Sequence, residues 1–340
     1  MRIQSKISRD RIFVTGAGGF IGSHLVEALV RRGHEVVALV HYNSQGLTGW
    51  LGEIDEEIKG NFQVVHGDVR DRDQVITVSK GCDAIIHAAA LIGIPYSYSS
   101  VDSYMDTNVS GTLNLLTAAK KNDVRKLVQI SSSEVYGVAE CFPISENSLT
   151  SARSPYAASK IAADSFAKAF SASFELPVVI VRPFNTFGPR QSTRAVIPTI
   201  ITQLLFGSHS LKLGNTSSAR DFTFVTDTVS GIVAACESAA SDGEIFNLGT
   251  GFEIEVRDLV QEIGKILNIT PSFHTSEELL RPKNSEISRL LSDNTKASET
   301  LGWEPLLAGL DGLRDGLTKT VQWFLEPKNL ERYRAKSTRE

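Results

Sequence analysis

RIFVTGAGGFIGSHLVEALVRRGHEVVAL, residues 11–39, decides the fold of this chain. Ile12, Phe13 and Val14 form the apolar run that a strand buried on both faces requires. Gly16, Gly19 and Gly22 follow as G-x-x-G-x-x-G, and residues 20–30 then carry apolar side chains at helical spacing. A second apolar run at 36–40 completes a strand–helix–strand unit. In such a unit Gly16 permits a tight turn and Gly19 lets a pyrophosphate approach the backbone, while Gly22 lets the helix pack closely on the strand. The helix start, at Phe20 and Ile21, offers free N–H groups and a favourable dipole. Turns use glycine for many reasons, so the triplet alone is weak. Between a buried strand and an amphipathic helix it specifies a dinucleotide site.

With 340 residues and 41% hydrophobic content, the chain can bury one large core or one and a half domains. A formal charge of −4 gives no basic footprint and argues against nucleic acid as a partner. No apolar run is long enough to span a bilayer, and the opening MRIQSKISRD lacks the apolar stretch of a signal peptide, so no membrane association is expected. Cys82, Cys141 and Cys236 are far apart and odd in number. That suits reduced, buried thiols in a cytoplasmic protein better than a disulfide framework or a zinc site. The histidines show no H-x-x-x-H pairing, and no metal is expected.

Residues 41–60 read as a loop leading to a short helix, and 62–65 as a third strand. Asp68 and Val69 follow it. A carboxylate at a strand's C-terminal end can accept from an adenine amino group, but Asp68 can equally cap a helix at 70–78. A fourth strand at 84–86 leads into His87, Ala88, Ala89 and Ala90, whose small side chains let the backbone approach a cofactor. Helices at 104–121 and 156–174 alternate with strands at 127–130 and 178–181; the second helix carries Ala157, Ala158, Ala162 and Ala163. This alternation predicts an α/β fold, a Rossmann-type doubly wound parallel sheet with helices on both faces. Ligands then bind beyond the strands' C-terminal ends.

Residues 1–187 are expected to form this domain and to carry the catalytic residues. From 188 the pattern loosens, with helices at 196–205, 227–237, 255–267 and 311–324 and short strands at 211–213 and 220–225. Residues 188–330 read as a smaller α/β lobe over the sheet's C-terminal edge, with segments free to interleave with the first. The last ten residues, ERYRAKSTRE, lack an apolar face and read as a disordered tail.

Tyr156 and Lys160 stand four residues apart, on one face of a helix. An ammonium beside a phenol favours phenolate and makes a usable base. Ser131, Ser132, Ser133 and Glu134 follow the fifth strand, where a hydroxyl can steady a substrate alcohol while Tyr156 takes its proton. Glu134, among those hydroxyls, reads as a second base more readily than as a structural residue.

Together the pieces resemble the extended short-chain dehydrogenase/reductase family across nearly the whole chain. They are GAGGFIG at 16–22, GDVRD at 67–71, HAAA at 87–90, NVSGT at 108–112, SSSEVYG at 131–137, YAASK at 156–160, RPFNTFGPR at 182–190 and RDFTFVTD at 220–227. The resemblance implies action on nucleotide-diphosphate sugars with a tightly held nicotinamide dinucleotide. By it, Ser132, Tyr156 and Lys160 form the triad that oxidises sugar C4, with Asn108 and Ser131 near the cofactor and Pro183 against the nicotinamide. Asn185, Arg194 and Val196 would lie at the substrate, and Arg220 and Arg281 on its pyrophosphate, where planar guanidinium forks suit phosphate oxygens.

Glu134 separates the members of this family. It is similar to the base of sugar 4,6-dehydratases, which takes the C5 proton once C4 is oxidised, whereas 4-epimerases carry a small or hydroxyl residue there. Ser133 replaces the Asp of many glucose-type dehydratases, as in the Ser-Glu version of GDP-mannose 4,6-dehydratases, and leaves Glu134 to act as both base and acid. UDP-glucuronate decarboxylases share Ser-Glu. LVHYNSQGLTGWL at 39–51, AALIGIPYSY at 89–98 and RQSTRAVIPTIITQLL at 190–205 resemble the LegB-type 4,6-dehydratases of nucleotide-linked N-acetylglucosamine, on routes to legionaminic acid and related deoxy sugars.

A carboxylate expected at the end of the second strand, for the adenosine 2′-hydroxyl, is missing; His41, Asn43 and Ser44 stand there instead. These residues leave NADP open, and the resemblance favours NAD. It also implies a homodimer, through a four-helix bundle formed by helices 104–121 and 156–174. The nucleotide (UDP, GDP, CDP or dTDP) and the sugar are left open by the sequence.

Overall fold

The computed structural model describes residues 9–337. Its strands are β1 (Arg11–Thr15), β2 (Glu35–His41), β3 (Phe62–Gly67), β4 (Ala84–His87), β5 (Lys126–Ile130), β6 (Val178–Pro183), β7 (Asn185–Phe187), β8 (Ser210–Leu213), β9 (Ala219–Phe224), β10 (Ile245–Leu248), β11 (Glu253–Glu255), β12 (Ser272–Thr275) and β13 (Arg289–Leu290). Seven of them form one parallel sheet in the order β10-β6-β5-β4-β1-β2-β3. The order reverses between β1 and β4, which opens the ligand crevice above these two strands.

The helices are α1 (Phe20–Arg31), α2 (Arg72–Val78), α3 (Ile94–Ser99), α4 (Val101–Tyr104), α5 (Gly111–Lys121), α6 (Pro155–Phe174), α7 (Val196–Leu205), α8 (Val225–Glu237), α9 (Val256–Leu267), α10 (Thr295–Leu301), α11 (Gly309–Leu325) and α12 (Pro327–Ser337). None of the described helices is long and apolar enough to cross a membrane. Because both sheet faces are covered, the period-2 alternation of β1 feeds two cores. Ile12 and Val14 pack with Leu25, Leu29 and Ile232 of α1 and α8, whereas Phe13 packs with Leu115, Leu116 and Ala167 of α5 and α6. Beyond the C-terminal end of β6, β7 pairs with β9, which also pairs with β11 and β13. A two-stranded sheet joins β8 and β12.

Four expectations change. Of the three cysteines expected to be buried, Cys141 is exposed. The main sheet has a seventh strand, β10, drawn from the later half of the chain and parallel to β6. The helix expected over 104–121 is interrupted by a π-turn, Met105–Ser110, between α4 and α5. The tail expected to be disordered starts inside α12; its residues 338–340 lie outside the described residues. Tyr333 of α12 is buried against Trp50, Trp323 and Phe324, and its hydroxyl donates to the Gln191 carbonyl at 2.9 Å. Asn329, buried and donating to the Trp323 carbonyl, and Arg332, paired with Glu53, add to its docking.

Candidate active site

The turn after β1 leaves no room for side chains at two of its glycines. Gly16 takes φ +66°, and a Cβ on Gly22 would come within 2.1 Å of the Gly16 carbonyl oxygen. Gly19 precedes α1 without a side-chain cap, and the first turn of α1 (Phe20, Ile21 and onward) holds no acidic residue. The positive end of a twelve-residue helix is thus presented to an anion. Gly16 abuts the segment after β4: a Cβ there would meet the Ala89 nitrogen at 2.7 Å. Ala89 N–H donates to Thr15 Oγ1 (3.2 Å), which shares a hydrogen bond with His87 Nδ1 (2.8 Å). Burial lowers His87 to about 3, so a neutral ring ties Thr15 to Thr112. Ala88 and Ala90 flank this contact. The crowded turn and uncapped helix fit a dinucleotide pyrophosphate.

Beyond the ends of β2 and β3 a cavity of about 410 Å³ is lined by His41, Tyr42, His66, Asp68, Arg70 and Gln74. Asp68 is not the cap of α2. Asp71 is, accepting from Gln74 N–H at 3.1 Å. Both oxygens of Asp68 are held by Arg70, at 3.0 and 2.6 Å, and this fork keeps its carboxyl below the usual range. His41 Nδ1 lies 3.7 Å from the same carboxylate. The Asn43 amide is used within its own turn, accepting from Leu47 N–H (2.9 Å) and donating to Leu47 O (2.7 Å), with exposed Ser44 beside it. Val69 is buried beside Gly111. Asn108, in the π-turn, accepts from Leu91 N–H (2.8 Å) and donates to Leu91 O (3.0 Å) and Ser159 Oγ (2.9 Å). Its amide therefore pins the loop after Ala90 to α6. A π-turn at such a point is typical of functional sites.

The catalytic candidates converge beyond β5. Ser132 Oγ accepts from Glu134 N–H at 3.2 Å, starting a 3-10 turn, Ser133–Tyr136, that buries Ser133 and Glu134. Gly137 ends the turn with φ +60°, where a Cβ would sit 2.1 Å from Ser151 O. Tyr156 starts the first turns of α6, capped by Ser154. Burial holds its phenol above its ordinary pKa, with Glu134, Tyr104 and Asp164 adding to the rise and Ser132 opposing it. The expected lowering by Lys160 is not what this geometry produces: Lys160 Nζ donates to the Ile130 carbonyl at 2.6 Å. Burial also lowers Lys160, to about 8.

Arg281, expected on a pyrophosphate, meets Glu134, with Nη1 3.3 Å from Oε2. Arg220 is buried, donates to Ile287 O at 2.6 Å and feels the charges of both Glu134 and Arg281. Asn185 Oδ1 is buried without a partner among the described residues, a polar atom left for a ligand. Pro183 ends β6 opposite Leu248, Arg194 is exposed in the loop before α7, and Val196 opens that helix.

Sequence reading missed Asp164 and Arg182. Asp164 Oδ2 accepts from Ser131 Oγ (2.9 Å) and from Arg182 Nε (3.2 Å) and Nη2 (3.0 Å). Arg182 lies over the Tyr136 ring, whose hydroxyl donates to Asn247 Oδ1 at 2.6 Å. The one available signal was Arg182, a charged residue near the end of the otherwise apolar buried stretch of β6.

Comparison with known proteins gives a consistent group. The family described as GDP-mannose 4,6 dehydratase matches residues 13–315. A UDP-glucose 4-epimerase from Mycolicibacterium smegmatis is 35% identical over 92% of this chain and 98% of its own. A UDP-N-acetyl-alpha-D-glucosaminuronate decarboxylase from Bacillus cytotoxicus is 31% identical over 94% and 99%. The dTDP-glucose 4,6-dehydratase from Streptomyces venezuelae, solved with NAD bound, superposes with a TM-score of 0.85 at 32% identity, covering 94% of this chain and 98% of that one.

Proposed function

The chain belongs to the nucleotide-sugar dehydratase and epimerase group of the extended short-chain dehydrogenase/reductase family, and from that premise we propose that it is a nucleotide-sugar 4,6-dehydratase with bound NAD. The observation that carries this reading is Glu134, a buried carboxylate two residues after Ser132 and near enough to the Tyr156 phenol to act on it electrostatically. Oxidation at C4 needs only the hydroxyl and the phenol. A third group that can accept a proton suits the further step at C5.

When bound, NAD supplies the hydride acceptor at C4 and the donor that later returns the hydride to C6. Gly16, Gly19, Gly22, Ala88 and Ala89 would hold it. Ser132 steadies the C4 oxygen while Tyr156 takes its proton. The C4 ketone acidifies C5–H, and Glu134 removes that proton. Glu134 then gives the proton to the C6 hydroxyl, which leaves as water when the C6–O bond breaks; return of the hydride to C6 would leave an enolate that takes a proton at C5, balancing the one Tyr156 took from the C4 hydroxyl. Arg220, Arg281 and Asn185 are the residues proposed to bind the rest of the nucleotide sugar.

The substrate proposed is a nucleotide-linked N-acetylglucosamine, on the likeness of residues 39–51, 89–98 and 190–205 to dehydratases of that sugar. Residues 1–187, with β10 and α8 from the later half, are proposed as the dinucleotide domain and the remaining C-terminal segments as the sugar-binding lobe. The π-turn and α6 expose Met105 and Phe166, which supports a homodimer through these helices; light scattering at micromolar concentration that finds a monomer would remove it.

The test of function is mass spectrometry after incubation with NAD and a panel of nucleotide sugars, including UDP- and GDP-N-acetylglucosamine. Loss of one water from one member establishes the dehydratase and names its substrate. A new isomer of unchanged mass makes the protein an epimerase, and loss of carbon dioxide from a uronate makes it a decarboxylase.

A further inference from the structure

We propose that Asp164 is a positioning residue of this site, locking the serine loop to the helix that carries Tyr156 and facing the Lys160 ammonium. Lys160 and Asp164 lie on successive turns of α6 and grip consecutive residues at the end of β5. Lys160 Nζ donates to Ile130 O at 2.6 Å, and Asp164 Oδ2 accepts from Ser131 Oγ at 2.9 Å. The next residue is Ser132. The two contacts therefore fix the register of the catalytic hydroxyl against Tyr156, one helical turn before Lys160.

The arrangement is more than a buried ion pair. All three donors converge on Oδ2, while Oδ1, in a residue only 3% exposed, has no hydrogen-bond partner among the described residues. A carboxylate kept merely to neutralise Arg182 would be satisfied by a two-oxygen fork. Here the Arg182 fork holds the carboxylate from β6 and leaves its remaining charge to act on Lys160. The other charged and titratable groups around this cluster are His87 on β4, neutral; Glu134 in the 3-10 turn, paired with Arg281; Tyr104 on α4; and Tyr156 itself. Burial draws Lys160 toward the neutral amine, and Asp164 opposes it. The Asp164 carboxylate, one turn further along α6, thus favours the ammonium form of Lys160.

The proposal rests on the assignment of Tyr156 and Lys160, but its readout is independent of which sugar reacts. Lysine labelled with carbon-13 at Cε is titrated by NMR in the NAD-loaded enzyme, with Lys160→Met identifying the signal. Asp164→Asn is expected to lower the Lys160 midpoint by about one pH unit or more. Because this variant strands Arg182, the double variant Asp164→Leu/Arg182→Met serves as a folded control, since apolar replacement of a buried pair is commonly tolerated. The same lowered midpoint in the folded double variant supports the proposal. A wild-type midpoint in either variant overturns it.

Discussion

Arg281 and Glu134 are 147 positions apart in the chain, and their side chains meet at 3.3 Å over the serine loop. The pair joins the residue expected to read the diphosphate to the residue proposed to remove the C5 proton.

Glu134→Gln follows directly. Dehydration is expected to fall by about 10²–10⁴-fold, the usual weight of a positioned acid–base group. Oxidation at C4 persists, so reduced nicotinamide accumulates and is seen by its absorbance in stopped flow. An unchanged rate of water loss would remove Glu134 from the mechanism.

Gly22→Ala tests the glycine turn. The added methyl would stand 2.1 Å from the Gly16 carbonyl oxygen, which belongs to the backbone and has little room to give. The variant is expected to lose about 1–3 kcal/mol of stability. NAD released from the purified protein by heat should fall well below the wild-type content; full content would show that the turn relaxes freely.

His24, on α1, shares a hydrogen bond with the Pro189 carbonyl at 3.2 Å. Burial first, and Arg190 second, lower it from 6.5 to about 4. The unfolded chain therefore takes up a proton between those values that the folded protein refuses, so stability rises with pH through this window and is lost on acidification. Urea titrations of wild type and His24→Gln should differ in their loss of stability between about pH 7 and 5 by about 2 kcal/mol, with the variant losing less. Parallel losses would mean that His24 titrates normally in the fold.

The docking of α12 gives a graded pair. Tyr333→Phe keeps the ring contacts with Trp50 and Phe324 but removes the hydrogen bond to Gln191, at a cost of about 1 kcal/mol. Tyr333→Ala removes the ring as well, at about 3–5 kcal/mol. Thermal melts rank the two. Trp50 N–H donates to Gly18 O at 2.9 Å, so the alanine variant should also loosen the glycine turn and lower bound NAD.

The parallel core was legible because a strand buried on both faces reads as an unbroken apolar run: IFV in β1, AII in β4 and VVIV in β6. The glycine turn, Tyr156, Lys160 and the serine loop were legible because local spacing places them. β10 was not, since Ile-Phe-Asn-Leu is four residues long and interrupted by Asn247, buried through its bonds to Ile144 and Tyr136. The burial of Tyr333 depends on a hollow formed by Trp50 and Trp323, remote in sequence from each other. Asp68 and Asp71 are chemically alike at the start of α2, and only backbone geometry chooses the cap. Asp164 and Arg182, on different elements, leave no periodic trace.

The place of β10 bears on how the protein is made. The strand that seals the open edge of β6 is the tenth to leave the ribosome, after the glycine turn, the serine loop and Tyr156 have all emerged. Until residue 248 is free, the nascent sheet exposes the unpaired N–H and C=O groups of β6, an edge that invites pairing with other chains. A fragment ending at Phe187 carries the same exposed edge permanently. Expressed alone it should aggregate.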